Sequence, residues 1–291
     1  MILKGGLGNQ MFQYAFAKNI SVIKNEEVVF DTSFLDCRIP VKYFTYRNYE
    51  LDLFGVKERK VSTIMPNAVY KYLGYPITKI KSIAKGGYIS EGKNPYIFDD
   101  KLYEKALKAK KSITLEGFWN NYKYFEANNE LIKNIFDTDK LYDKKYEDIE
   151  KDIVNSNSVS ISIRRGDYLN PKHKDVFVQL DENYYGKAID LIRQKVEKPK
   201  FYVFSYDDPE WAKDTLKLPP KECVILDKNY IGDRFKTFLR LISLCKHNII
   251  SNSSFAFWGA YLNRNSGATR IAPGYWMPKY RFEAPKDWLV L

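Results

Sequence analysis

The chain is poor in the residues that usually announce metal or redox chemistry: its 291 residues include 2 histidines and 3 cysteines. Cys37, Cys223 and Cys245 are odd in number, far apart and without the close spacing of a zinc site. Neither a disulfide framework nor a metal centre is indicated, and a reducing cytosol is the expected compartment. Long apolar runs are missing too. None approaches the roughly 18 residues that cross a bilayer, so no membrane-spanning anchor is expected. Met1-Ile2-Leu3-Lys4 runs straight into Gly5-Gly6, which leaves no apolar region for a signal peptide. Zinc-finger spacing, RNP-type aromatic signatures and a basic leucine-zipper pattern are likewise absent.

What is present in excess is positive charge, with 47 Lys and Arg against 36 Asp and Glu and a formal net charge of +11. Such an excess suits nucleic acid, an anionic membrane surface touched peripherally, or a phosphorylated small molecule. The lysines between residues 57 and 60, 79 and 85, and 105 and 111 scatter over turns and helix faces, as solvated surface does. Hydrophobic residues make up 45% of the chain, which indicates a globular core, and 23 Tyr with 18 Phe serve sugar stacking as readily as packing. The length fits two domains. A charged, weakly periodic stretch from Lys140 to Ser156 places the boundary between residues 1–155 and 156–291.

Met1 to Lys4 reads as a short strand, Gly5 to Gly8 as a glycine-rich turn, and Asn9 to Ser21 as a helix with Met11, Phe12, Ala15, Phe16 and Ile20 at helical spacing. The turn resembles a nucleotide-binding fingerprint but does not complete one. Counting from Gly6, the sixth place is Met11, and a P-loop's lysine and hydroxyl are missing. A turn that brings Gly6 and Gly8 close to a ligand remains, with Asn9 and Gln10 at the helix start, or equally an N-cap asparagine on an ordinary helix. Between Asp31 and Leu115 the pattern assigns no chemistry. Phe118 and Trp119, beside Asn120 and Asn121, fit a sugar platform or core packing. The second half alternates strand and helix: strands at Ser158–Ile163, Phe201–Ser205, Glu222–Leu226 and Asn248–Ile250, helices near Asn183–Val196, after Asp208, at Asp233–Lys246 and at Phe257–Leu262. Repeated β-α units predict a parallel sheet wrapped by helices.

Three constellations carry chemistry. Strand Ser158–Ile163 ends in Arg164-Arg165-Gly166-Asp167, and a guanidinium pair beyond a strand end suits a diphosphate, or else salt bridges to local carboxylates. Ser251-Asn252-Ser253-Ser254-Phe255 joins a buried strand to a helix, where hydroxyls and free N–H groups hold an anion or simply cap. His247 lies just before that strand. Asp207-Asp208 suggests a metal or a cap ahead of Pro209; the cap is preferred, because arginines that neutralise phosphates make a metal redundant.

Gly5-Gly6-Leu7-Gly8-Asn9-Gln10-Met11-Phe12-Gln13-Tyr14-Ala15, Ile163-Arg164-Arg165-Gly166-Asp167-Tyr168 and His247 to Phe255 together resemble the bacterial α-1,2-fucosyltransferases of glycosyltransferase family eleven. The likeness spans nearly the whole chain. It implies an α/β fold of GT-B type with two Rossmann-like domains, inverting transfer from GDP-β-L-fucose to a galactose 2-hydroxyl of a glycan, and no required metal or other cofactor. By position, Arg164 would bind the β-phosphate and stabilise departing GDP, supported by Arg165. Asn252, Ser253, Ser254 and Phe255 would line the diphosphate and nucleoside with Gly6 and Gly8, and His247 would lie near the guanine or phosphates. Asn9 resembles an asparagine beside the reacting centre of related protein O-fucosyltransferases, and Asp167 is the candidate base by proximity. Gln10, Phe118 and Trp119 would meet the acceptor. One departure stands out: Ser162 occupies the place where the family usually has histidine.

Overall fold

The computed structural model describes residues 1–36, 47–62, 87–92, 94–169 and 176–291, with Asp167 described by its backbone alone. These form two compact units, Met1–Ile135 and Phe136–Leu291.

In the first unit the helix Leu7–Lys24 buries Met11, Phe12, Ala15, Phe16 and Ile20, the stripe its spacing predicts. It stops at Asn25, which adopts the left-handed conformation (φ 52°) and returns its N–H to Ser21 and Val22 carbonyls. Strand β1 (Val29–Asp31) runs parallel to β2 (Arg59–Val61), and β3 (Tyr88–Ser90) parallel to β4 (Thr114–Glu116). The expected N-terminal strand is a single bridge at Ile2, but it joins the pairs. Ile2 N–H donates to Leu115 at 3.0 Å and Leu3 N–H to Asp31 at 2.9 Å. Residues 37–46 and 63–86, within the stretch to which the sequence pattern assigns no chemistry, lie outside the described residues.

The second unit is built on a six-stranded sheet of order β12-β9-β8-β5-β6-β7, with every pair parallel. The strands are β5 (Ser158–Ser162), β6 (Lys200–Phe204), β7 (Cys223–Leu226), β8 (His247–Ile249), β9 (Arg270–Ala272) and β12 (Leu289–Val290). β10 (Tyr275–Met277) and β11 (Tyr280–Arg281) form a separate antiparallel ribbon. Side chains alternate along a strand, so Val159, Ile161 and Ile163 enter one core layer with Phe201, Val203, Ile189 and Ile192. Ser158, Ser160 and Ser162 face the opposite layer, that of Tyr202, Phe204, Phe238 and Leu241. Helices Glu182–Lys195, Pro209–Leu216, Lys236–Leu244 and Ser254–Tyr261 follow the β-α alternation expected.

Two local differences from the sequence reading have identifiable causes. The unit break falls at Ile135, ahead of the boundary expected near residue 155, because residues 136–155 are fastened to the second unit. Arg240 donates to both oxygens of Glu150, at 2.6 and 2.9 Å, and to Asp139 and the Thr138 carbonyl at 2.8 and 2.9 Å. The helix expected from Asp233 begins only at Lys236, because Arg234 (φ 50°) and Phe235 (φ 64°) are left-handed and cannot continue it.

The Arg240 cluster gives a direct test of that fastening. Arg240→Ala strands the buried Glu150 carboxylate without its fork, and a loss of about 3–5 kcal/mol is expected by urea denaturation.

Candidate active site

A parallel sheet collects its ligands beyond the carboxyl ends of its strands, where helices begin and backbone amides point outward. The register fixes which residues meet there. Ser162 pairs with Phe204 and Ile161 with Ile249, so Arg164 and Arg165 continue past β5, Tyr206 to Asp208 past β6, and Ser251 to Ser254 past β8, all on one edge.

The two guanidiniums are held from the neighbouring strand. Arg164 Nη1 donates to the Tyr206 hydroxyl and lies 3.5 Å from Asp207 Oδ2; its guanidinium also sits 5.7 Å from the Tyr168 ring centroid. Arg165 Nε donates to Asp208 Oδ2 at 2.8 Å, and its plane covers Trp211 at 4.0 Å. Asp208 simultaneously accepts the Trp211 N–H at 3.2 Å, capping the helix that starts at Pro209. The expected cap is therefore real, and the same carboxylate anchors an arginine. Burial pushes the Asp207 carboxyl above the usual range, against the pull of Arg164 and the backbone N–H groups of Arg165 and Gly166. Gly166 is required by that closeness: a Cβ there would stand 2.6 Å from Asp207 Oδ2. The Asp167 backbone lies in the 3₁₀ turn Gly166–Leu169, while its side chain is outside the described residues.

On the serine turn, Ser253, Ser254 and Phe255 are half-buried at the start of the helix Ser254–Tyr261. Ser253 precedes it without a side-chain capping bond. Asn252 has a different task from the one expected of its side chain: its amide is buried and donates to the Val178 and Trp276 carbonyls at 2.8 and 3.3 Å, which positions the turn. His247 requires a correction. It pairs with Val159 at the amino end of the sheet, five residues short of the level of Arg164, or about 16 Å along the strand. There its Nδ1 accepts the Thr269 N–H at 3.0 Å, and burial lowers its proton affinity. It holds β8 to its neighbour and is remote from the ligand edge.

In the first unit the glycine turn is strained in one place. Gly5 has φ 80°, and a Cβ on it would lie 2.5 Å from Asn9 Nδ2. Gly6 has the Arg47 side chain against it, 3.5 Å from a Cβ position, and Gly8 is buried in the first helical turn. Asn9 is half-buried and its Oδ1 accepts from Asn120 Nδ2 at 3.2 Å. Gln10 is corrected from acceptor contact to structural tie. It is fully buried, donates to Gly5 and Asn48 carbonyls at 2.9 and 2.7 Å, and accepts the Glu50 N–H at 2.9 Å. Trp119 is corrected likewise, being wholly buried against Phe16 and Tyr124 with centroids at 4.7 and 5.2 Å. Phe118 stays half-buried, with Lys4 Nζ 5.0 Å above its ring. Both their N–H groups are gripped by Glu91, at 2.6 and 2.7 Å.

Arg47, Tyr206, Trp211, Phe235 and Glu91 carry no motif signal, since each acts through a partner distant in sequence. For Asp208 the signal was there as a cap and incomplete as an anchor.

The second unit is an α/β layer structure whose six-stranded parallel sheet carries its charged groups beyond the carboxyl ends of the strands, a fold of the GT-B-like kind. Among solved structures Arabidopsis thaliana FUT1, a mutant in complex with GDP, shares the fold at a TM-score of 0.51 and 10% identity, over 98% of this chain and 71% of that one. The chain belongs to glycosyl transferase family 11, whose model matches residues 1–288. It is 32% identical to the Escherichia coli O-antigen biosynthesis glycosyltransferase WbnK, over 94% of this chain and 93% of that one. It is 30% identical to the Escherichia coli alpha-1,2-colitosyltransferase, over 99% and 96%. Among the described residues no helix is long and apolar enough to cross a membrane.

Burial raises the Glu91 carboxyl to about 7, above its ordinary 4.5, despite the Phe118 and Trp119 amides and the Lys4 charge. The folded state therefore keeps a proton that the unfolded chain has released, and stability falls as pH rises from about 4.5 to about 7. Glu91→Gln is expected to remove up to one proton's slope, about 1.4 kcal/mol per pH unit, from denaturation curves across that window.

Proposed function

We propose that the protein moves L-fucose from GDP-β-L-fucose to the 2-hydroxyl of a galactose in a glycan acceptor, with inversion at the sugar carbon. The observation that carries the reading is the guanidinium pair beyond β5, preset by Tyr206, Asp207 and Asp208. As the bond from fucose to oxygen breaks, charge accumulates on the β-phosphate, and a fixed fork gains more in the transition state than in the ground state. Arg164 is the clamp; Arg165, stacked on Trp211, supports it. Ser253, Ser254 and Phe255 complete the donor side, and the role given to Asn9 rests on the family resemblance of its glycine-rich motif. Asp167 is the candidate base for the acceptor hydroxyl. The reading includes no metal: Asp207 and Asp208 are engaged with Arg164 and Arg165, the groups assigned to the diphosphate.

A second donor is favoured by one particular relative. The chain aligns over 99% of its length with an alpha-1,2-colitosyltransferase, so GDP-colitose is the competing substrate within the same chemistry. Nucleic acid is the competing partner from a different class, and it would be betrayed by steeply salt-dependent binding. Purified protein is to be offered GDP-fucose, GDP-colitose and GDP-mannose with galactosides in the presence of a chelator. Turnover of GDP-fucose is expected; use of GDP-colitose or GDP-mannose in its place would overturn the donor assignment. Arg164→Lys keeps the charge and loses the fork. Its turnover should fall roughly 10²- to 10³-fold with an unchanged circular dichroism spectrum.

A further inference from the structure

Among the described residues of the second unit, the turn Gly232-Asp233-Arg234-Phe235 gathers the most left-handed positions. Gly232 (φ 67°), Arg234 (φ 50°) and Phe235 (φ 64°) are all in the left-handed half of conformational space. A Cβ at Gly232 would meet Thr237 Oγ1 at 2.1 Å, so only glycine fits there. For a bulky aromatic residue such a φ is an outlier, and outliers persist where the surroundings fix them, most often at ligand sites.

The contortion has a result that folding alone does not require. Phe235 is half-buried instead of joining the core stripe of Phe238, Leu241 and Ile242 that follows it. Its ring makes edge contacts with Tyr206, centroids 4.9 Å apart at 73°, and with Phe255, 6.2 Å apart at 71°. Tyr206 accepts from Arg164, and Phe255 follows the serine turn. One ring thus joins the arginine clamp to the serine turn, across three segments distant in sequence.

We propose that Phe235 is a donor-binding residue, the middle member of an aromatic wall, Tyr206-Phe235-Phe255, that takes the nucleobase of the sugar-nucleotide. This rests on the donor reading above. Phosphates are held by guanidiniums and amides, and a base needs an apolar face, which the strained turn supplies beside the clamp. Tolerance of the strain follows, because a relaxed turn would carry the ring away from both partners.

The test is titration calorimetry with GDP and, separately, inorganic pyrophosphate, on wild type, Phe235→Leu and Phe235→Tyr. Leucine keeps bulk and loses the aromatic face; tyrosine keeps the face. Phe235→Leu is expected to bind GDP roughly 10-fold more weakly with pyrophosphate binding unchanged, and Phe235→Tyr to bind GDP within about 2-fold of wild type. Equal GDP affinity in Phe235→Leu overturns the assignment, and so does equal weakening of GDP and pyrophosphate, which would mean that the ring acts through Tyr206 on the arginine. If Phe235→Leu does not fold, failure of Phe235→Tyr to retain GDP binding overturns it instead. Wild type that binds no GDP at all refutes the donor reading itself, a result distinct from the others.

Discussion

The structure of the second unit depends on an exchange of charge between two adjacent strands. β5 ends in guanidiniums and β6 in carboxylates, and neither pair would be tolerable alone at a half-buried edge. Together they fix each other. Asp208 is divided between capping the helix Pro209–Leu216 and anchoring Arg165, so the start of that helix and the direction of that side chain are one decision. Asp207 packs so tightly beneath the turn that Gly166 has no room for a side chain. An arginine fork preset this way needs little reorganisation when an anion arrives, and that advantage is realised where charge develops during a reaction.

Much of this was legible in the sequence, and the parts that were not share a cause. The β-α alternation, the apolar run of β5 and the arginines at its end are local facts, and the parallel sheet follows from them. Gln10 and Trp119 looked available for a ligand because partners that bury them are far along the chain: Asn48 and Glu50 for one, Phe16 for the other. Phe235 falls at helical spacing with Phe238 and Ile242, yet its left-handed backbone, which leaves no trace in spacing, keeps it out of their stripe. The placement of residues 136–155 turned on Arg240, about a hundred positions away from its partners.

His247 teaches a different lesson, because elementary topology was sufficient to place it. A residue just before a parallel strand lies at the amino edge, away from where ligands collect. Motif likeness pointed the other way and register decided the matter. Ser162, at the opposite end of β5, is where the likeness departs from its pattern, and its buried hydroxyl sits on the layer shared with Phe204 and Phe238.

The strand order has a consequence for how the chain comes into being. β5 pairs on one side with β6, which follows soon after it, and on the other with β8, whose first residue pairs with Val159 from 88 positions away. Until β8 has been synthesised, the edge of β5 that it pairs has no neighbour, and an open strand edge is a template for pairing with other chains. When β8 arrives, Asn248 Nδ2 donates to Ser160 Oγ at 2.8 Å, so that strand is fastened to β5 by side chains as well as by backbone pairing.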